Sequence, residues 1–303
     1  MNKHLRIHSY WSQLAVFVML FGVSFIVFGF IQIAVYNALG IDPMKPNLND
    51  PKVLTFVKIA QGASSVIVFL VPAVITMLIT YRGKYGYFLG FKNAEKANMY
   101  VLSILALVLS LPFVFWLGEL NQRVSLPGWM KQLEADASKQ MAAFLKVRSQ
   151  WDVLVNVIVI ALLPAIGEEV CFRGVMQRIM IGMTKNAWTG IIITGFLFSA
   201  LHLQFEGFLP RMFLGVVLGA LYWFSGSLWT SIIAHFIFNA TQVLVVSYAP
   251  EYTVKTPAMP NILALVSGLA VFAILYFYQR QSTITYSKVY RLDDLNEHNQ
   301  FIA

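Results

Sequence analysis

The stretch Pro164-Ala-Ile-Gly-Glu-Glu-Val-Cys-Phe-Arg-Gly174 sets two carboxylates and a guanidinium directly after an apolar run, Val153 to Leu163. If run and stretch form one membrane-buried helix, each charge costs about 2.5–3.5 kcal/mol on insertion scales, a cost that a mere anchor has no reason to carry. Two later histidines, His202 and His235, also sit in apolar runs. The reading of this stretch therefore decides between a membrane bundle enclosing a polar site and a bundle with charges in its loops.

Composition favours the membrane. Hydrophobic residues make up 58% of the 303, charged residues only 12%, and the mean hydropathy is +0.67; an ordinary soluble domain has about a quarter of its residues charged. The apolar mass is divided into runs near the roughly 20 residues that cross a bilayer. The expected fold class is thus all-α, a polytopic transmembrane bundle of about eight spans.

The net charge of +8 is spread through short loops with no basic tract, which argues against a nucleic-acid partner. One cysteine, Cys171, excludes an internal disulfide and a cysteine-based zinc site.

Working outward from the stretch, the fourth run starts near Trp151 and continues past the glutamates, because Val170 to Met183 keeps a helical apolar pattern. A helical hairpin turning at Gly182 to Asn186 places Glu168 and His202 at similar distances from the turn, hence at a similar height. Before this run, spans are expected at about Leu14–Val35, Leu54–Thr80 and Met99–Leu117; after it, at about Ala187–Leu203, Phe208–Phe224, Leu228–Val246 and Ile262–Tyr278.

The segment Tyr81 to Lys96 is basic, aromatic and glycine-punctuated, as suits a loop at lipid headgroups. The polar stretch 119–150 reads as either an amphipathic helix, with Met130, Leu133, Met141 and Leu145 on one side, or a lid. Gly215-Val-Val-Leu-Gly219 is a small-xxx-small pattern that lets helices approach closely. The chain from Gln279 onward is polar and expected to fray. Three regions follow: 1–150, three spans plus segment 119–150; 151–248, the core with the charged stretch and both histidines; and 249–303, the last span and tail. The bias of Lys and Arg among short loops favours both termini in the cytoplasm.

Within the core, Glu169 and Arg173 are four apart and share a helix face, so pairing them is the cheapest way to keep an arginine in the membrane. Glu168 is turned about 100° away and is free to face a wetter space. The competing reading puts all three in a surface loop. His202 ends the run Phe196-Leu-Phe-Ser-Ala-Leu-His202, with Phe198 one turn earlier on the same face; packing at an interface is its bland reading. His235 and Asn239 are again four apart, a polar pair inside an apolar span. Together these residues form a parts list for hydrolysis: a carboxylate base, an imidazole to orient water, and donors for an oxyanion.

The order Glu168-Glu169-x-x-x-Arg173, Phe198-x-x-x-His202, His235-x-x-x-Asn239 resembles the three-motif signature of the CPBP family of intramembrane proteases, which includes type II CAAX prenyl endopeptidases and bacterial bacteriocin-processing and self-immunity proteins. All three motifs match, over about Leu154 to Val246. The resemblance implies a membrane endopeptidase in which Glu168 activates water with His202, Glu169 pairs with Arg173, Phe198 supports the site, and His235 and Asn239 hold the oxyanion.

It further implies a catalytic cavity in the cytoplasmic half of a bilayer, here expected to be the plasma (inner) membrane, and a peptide or protein substrate. The family has also been described as metal-dependent, which would make Glu168, His202 and His235 zinc ligands; a metal-free glutamate mechanism is the preferred reading. The alternative function is a non-catalytic immunity or scaffold protein that binds a partner through the same cavity. A transporter is disfavoured because no internal repeat is visible.

Overall fold

The computed structural model describes residues 5–43, 45–83, 85–147, 149–249 and 259–282. The polar tail beyond 282 lies outside these residues, as do several of the basic residues weighed for orientation. Among the described residues, seven helices are long and apolar enough to cross a membrane. They are α1 (Tyr10–Ala38), α2 (Pro51–Thr80), α3 (Asn98–Gln122), α5 (Gln150–Thr184), α7 (Phe208–Ser225), α8 (Leu228–Tyr248) and α9 (Asn261–Gln281). Two further helices are α4 (Gly128–Leu145) and α6 (Ala187–Ala200), and Tyr85–Leu89 forms a short helical segment between α2 and α3. The chain is an all-α polytopic bundle and an integral membrane protein.

Local chemistry fixes the helix ends. Asp50 accepts from the Lys52 amide ahead of Pro51 in the first turn of α2, and Ser149 with Asp152 forms a capping box at the start of α5. The hairpin between α5 and α6 turns on Lys185, left-handed at φ 57°, and on Asn186, whose side chain accepts from the Thr189 amide. Gly182, expected within the turn, lies inside α5 instead, where the Tyr10 ring leaves no room for a Cβ.

Helix α5 forms the centre. Its middle packs against α2 at Gly167, where a Cβ would sit 2.3 Å from the Ser65 carbonyl oxygen, so only glycine permits this crossing. Wide π-helical turns mark the same places: Ser65–Leu70 in α2, and Val157–Leu162 and Val170–Gln177 on either side of the glutamates in α5. Such turns are often found at functional sites.

The fifth span does not reach Leu203: α6 stops at Ala200, and Leu203 takes φ 53°, a left-handed conformation that helical backbone does not allow. His202 therefore lies on a turn, and α6, with 14 residues, is shorter than the seven helices that are long and apolar enough to cross a membrane.

Segment 119–150 does contain a helix, α4, in which Met130, Leu133, Met141 and Leu145 share one side with Phe144. Phe144 is the buried anchor, packed with Tyr36, Val53, Leu54 and Val57, while Leu133 and Met141 are exposed. Burying Phe144 orients the helix about that residue. Asn156 donates to the Phe144 carbonyl and fixes this end to α5.

The loop between α2 and α3 packs beneath α8. Its Gly90 carbonyl accepts from the Leu228 amide and its Lys92 carbonyl from the Ser227 hydroxyl. Burial there pushes the Lys92 ammonium down to about 8, against the upward pull of Glu95.

Candidate active site

The charged stretch of α5 is helical and enclosed, which rules out the surface-loop reading: Glu169 and Arg173 have no solvent exposure and Glu168 only 9%. Arg173 Nη1 lies 2.9 Å from Glu169 Oε1, four residues apart as helical geometry requires. That contact is an ion pair whose angle falls short of a hydrogen bond. Arg173 Nη2 donates to the Gly215 carbonyl at 3.1 Å, and the guanidinium lies over the Phe198 ring, 4.8 Å from its centroid. A guanidinium is weakly hydrated and stacks well on aromatic faces, so this cradle suits arginine better than lysine.

The small-xxx-small motif of α7 now has a purpose. A Cβ on Gly215 would stand 3.0 Å from the Gly195 Cα of α6, so glycine brings the two backbones together. With no side chain in the way, the Gly215 carbonyl is reached by Arg173 and the Gly219 carbonyl by Gln177 Nε2 at 3.0 Å, two bonds one helical turn apart.

Glu169 has a second partner that sequence spacing does not reveal. His235 Nδ1 from α8 approaches the same Oε1 at 2.9 Å, and Ser231, one turn earlier on α8, lies beside this carboxylate. A carboxylate only accepts, so Nδ1 carries the proton and Nε2 is the nitrogen left for chemistry. His202 is arranged alike: its Nδ1 contacts the Phe198 carbonyl at 2.7 Å, which again places the proton on Nδ1 and leaves Nε2 available.

Phe198 binds these groups together. Its buried ring meets His202 edge-on at 4.9 Å, Phe172 at 5.1 Å and His235 at 6.1 Å, besides supporting Arg173. Asn239, one turn beyond His235, is half-buried and makes no hydrogen bond to another described residue. Glu168 also has no hydrogen-bond partner among the described residues, yet its charge acts on His202, Arg173 and Arg211. Neighbouring glutamates thus differ completely: one is bound by two cations or donors, the other is open.

Glu169 and His235 lie at a definite depth. Arg178 bonds the Tyr81 hydroxyl and the Phe88 carbonyl at one face of the bundle, and Glu169 is nine residues, about 13 Å, further along α5. His235 is seven residues, about 10 Å, beyond Leu228 at that face.

The donor chemistry of Glu168, His202 and His235 is of the kind zinc uses, each histidine holding a hydrogen bond through its other nitrogen. However, among the described residues no three His, Cys, Asp or Glu side chains are gathered as a metal-ligating group. As arranged, Glu168, His202 and His235 do not form a zinc set.

Fold and site together define an integral membrane protein with an ionisable cluster enclosed between its helices. Residues 150–241 match the profile of a family described as Rce1-like, Type II CAAX prenyl endopeptidase, a segment that runs from α5 into α8 and holds every residue of the three motifs. The match covers about a third of the chain and supports, for that segment, the resemblance of the three motifs to the CPBP family of intramembrane proteases. No curated protein and no solved structure matched the chain.

Proposed function

We propose that this protein hydrolyses peptide bonds with a water molecule activated by Glu168. The observation that carries the reading is the division between the two glutamates: Glu169 is held by Arg173 and His235, whereas Glu168 is enclosed, unbonded and electrostatically close to His202. Glu168 takes a proton from water that His202 Nε2 orients, and the resulting hydroxide attacks the scissile carbonyl carbon.

The oxyanion so formed accepts from the Asn239 amide and from His235 Nε2, which donates when the imidazole carries a proton on both nitrogens. Collapse of the tetrahedral intermediate breaks the C–N bond as Glu168 passes its proton to the leaving amine.

The substrate is a peptide or protein that reaches the site at membrane depth. The protein resides in the plasma membrane with both termini cytoplasmic; Arg82, Lys92, Lys96 and Lys185, outside the spans on the face nearest Glu169, are the charges that support this orientation.

The test uses purified protein and a quenched-fluorescence peptide ending in a farnesylated Cys-a-a-X sequence, alongside its unprenylated counterpart. Glu168→Gln keeps size and polarity but removes the base, and is expected to lower kcat by at least about 10³-fold while the protein remains folded. Cleavage by Glu168→Gln at the wild-type rate would overturn the assignment.

A further inference from the structure

His202 lies on the turn 201–207 between α6 and α7, so its position depends on what holds that turn. One end is fixed by Phe198 and by the Ser199 hydroxyl, which donates to the Phe208 carbonyl at 2.7 Å. At the other end α7 begins at Gly207, which has no side chain with which to cap the first helical amides.

Asn121 supplies the missing cap from a different element. It is buried in the last turn of α3; its Oδ1 accepts from the Leu209 amide at 2.9 Å, and its Nδ2 donates to the Phe205 carbonyl. One amide group thus ties the end of the turn to the start of the helix. Around it, Arg211 bonds the side chain and carbonyl of Gln204, Glu134 of α4 accepts from the Glu206 amide at 2.9 Å, and Trp129 stands edge-on to Phe205 at 5.6 Å. Asn121 is the buried member of this set, and it lies outside the family-matched segment.

We infer that Asn121 is a positioning residue for His202, so that the family core depends on α3 to aim its water-orienting imidazole. The inference rests on the role proposed for His202. Asn121 touches neither the imidazole nor the reacting atoms; it acts by fixing both strands of the turn on which the imidazole stands, where a displacement of about 1 Å costs on the order of 10²-fold in rate.

The experiment uses the purified full chain and two readouts. In the first, diethyl pyrocarbonate modification of His202 and His235 is timed by mass spectrometry, a measurement that needs no substrate. Asn121→Ala is expected to speed modification of His202 by about fivefold or more while His235 stays within about twofold, because only the turn is released. In the second, kcat on the farnesylated reporter falls by about tenfold or more with KM within about twofold.

Asn121→Asp, which keeps the acceptor for Leu209 but loses the donor to Phe205, is expected to be intermediate in both and serves if the alanine variant does not fold. Unchanged His202 modification, an equal rise at His202 and His235, or a raised KM with kcat intact would each overturn the inference. A wild type that cleaves nothing would defeat the proposed function, and the modification rates would still decide whether Asn121 holds the turn.

Discussion

Glu168 and Glu169 are joined by one peptide bond and carry the same functional group, yet their surroundings separate them. Glu169, Arg173 and His235 form a closed set in which each charge is offset by a neighbour less than 3 Å away. Breaking such a set on one side is far more harmful than replacing both sides, since the orphaned charge keeps its desolvation cost. Arg173→Met is therefore expected to destabilise the protein by about 3–5 kcal/mol, whereas Glu169→Leu combined with Arg173→Met loses less stability while still lacking activity. Thermal unfolding in detergent, with cleavage assayed in parallel, checks this; a double variant less stable than Arg173→Met would contradict it. At this scale the sequence is readable where partners share a helix. Glu169 with Arg173 follows from a four-residue spacing, but Glu169 with His235 depends on how α8 crosses α5, and no local pattern encodes that crossing. Asn121 was hidden for the same reason: at the end of a span it looks like any interfacial polar residue, and its two partners lie more than 80 residues away.

Among the elements, α5 packs tightly on α2 at Gly167, next to the glutamate proposed as the base. A methyl group there meets the Ser65 carbonyl oxygen, which is backbone and cannot swing aside. Gly167→Ala is expected to force α2 and α5 apart, costing about 1–3 kcal/mol or more, and to reduce cleavage by moving Glu168. Gly22→Ala in α1, where a Cβ meets nothing within 4 Å, serves as the control and is expected to be neutral in melting temperature and rate. Equal effects of the two substitutions would refute the argument. Hydropathy located the spans well, because length and apolar composition are properties of each segment alone. The end of α6 escaped it, since that end depends on a left-handed residue at Leu203.

For the whole molecule, the family-matched residues 150–241 hold every motif, but the architecture divides the work differently. Helices α2 and α3 and the anchored α4 close around that core, through Ser65, Asn121 and Phe144, so region 1–150, which holds none of the three motifs, is packed against it. The short α6 has a consequence for the surrounding lipid. Its 14 residues rise about 21 Å, against a hydrocarbon layer of about 30 Å. Such a mismatch is expected to draw the leaflet inward around the polar turn that carries His202 and to thin the barrier between water and Glu168. A dimple of that kind would bring water, the second substrate of the proposed hydrolysis, to the site. Reconstituted in vesicles of increasing acyl-chain length, the protein is expected to lose kcat progressively as the bilayer thickens, with KM changing less; a rate indifferent to thickness would show that water arrives by another route.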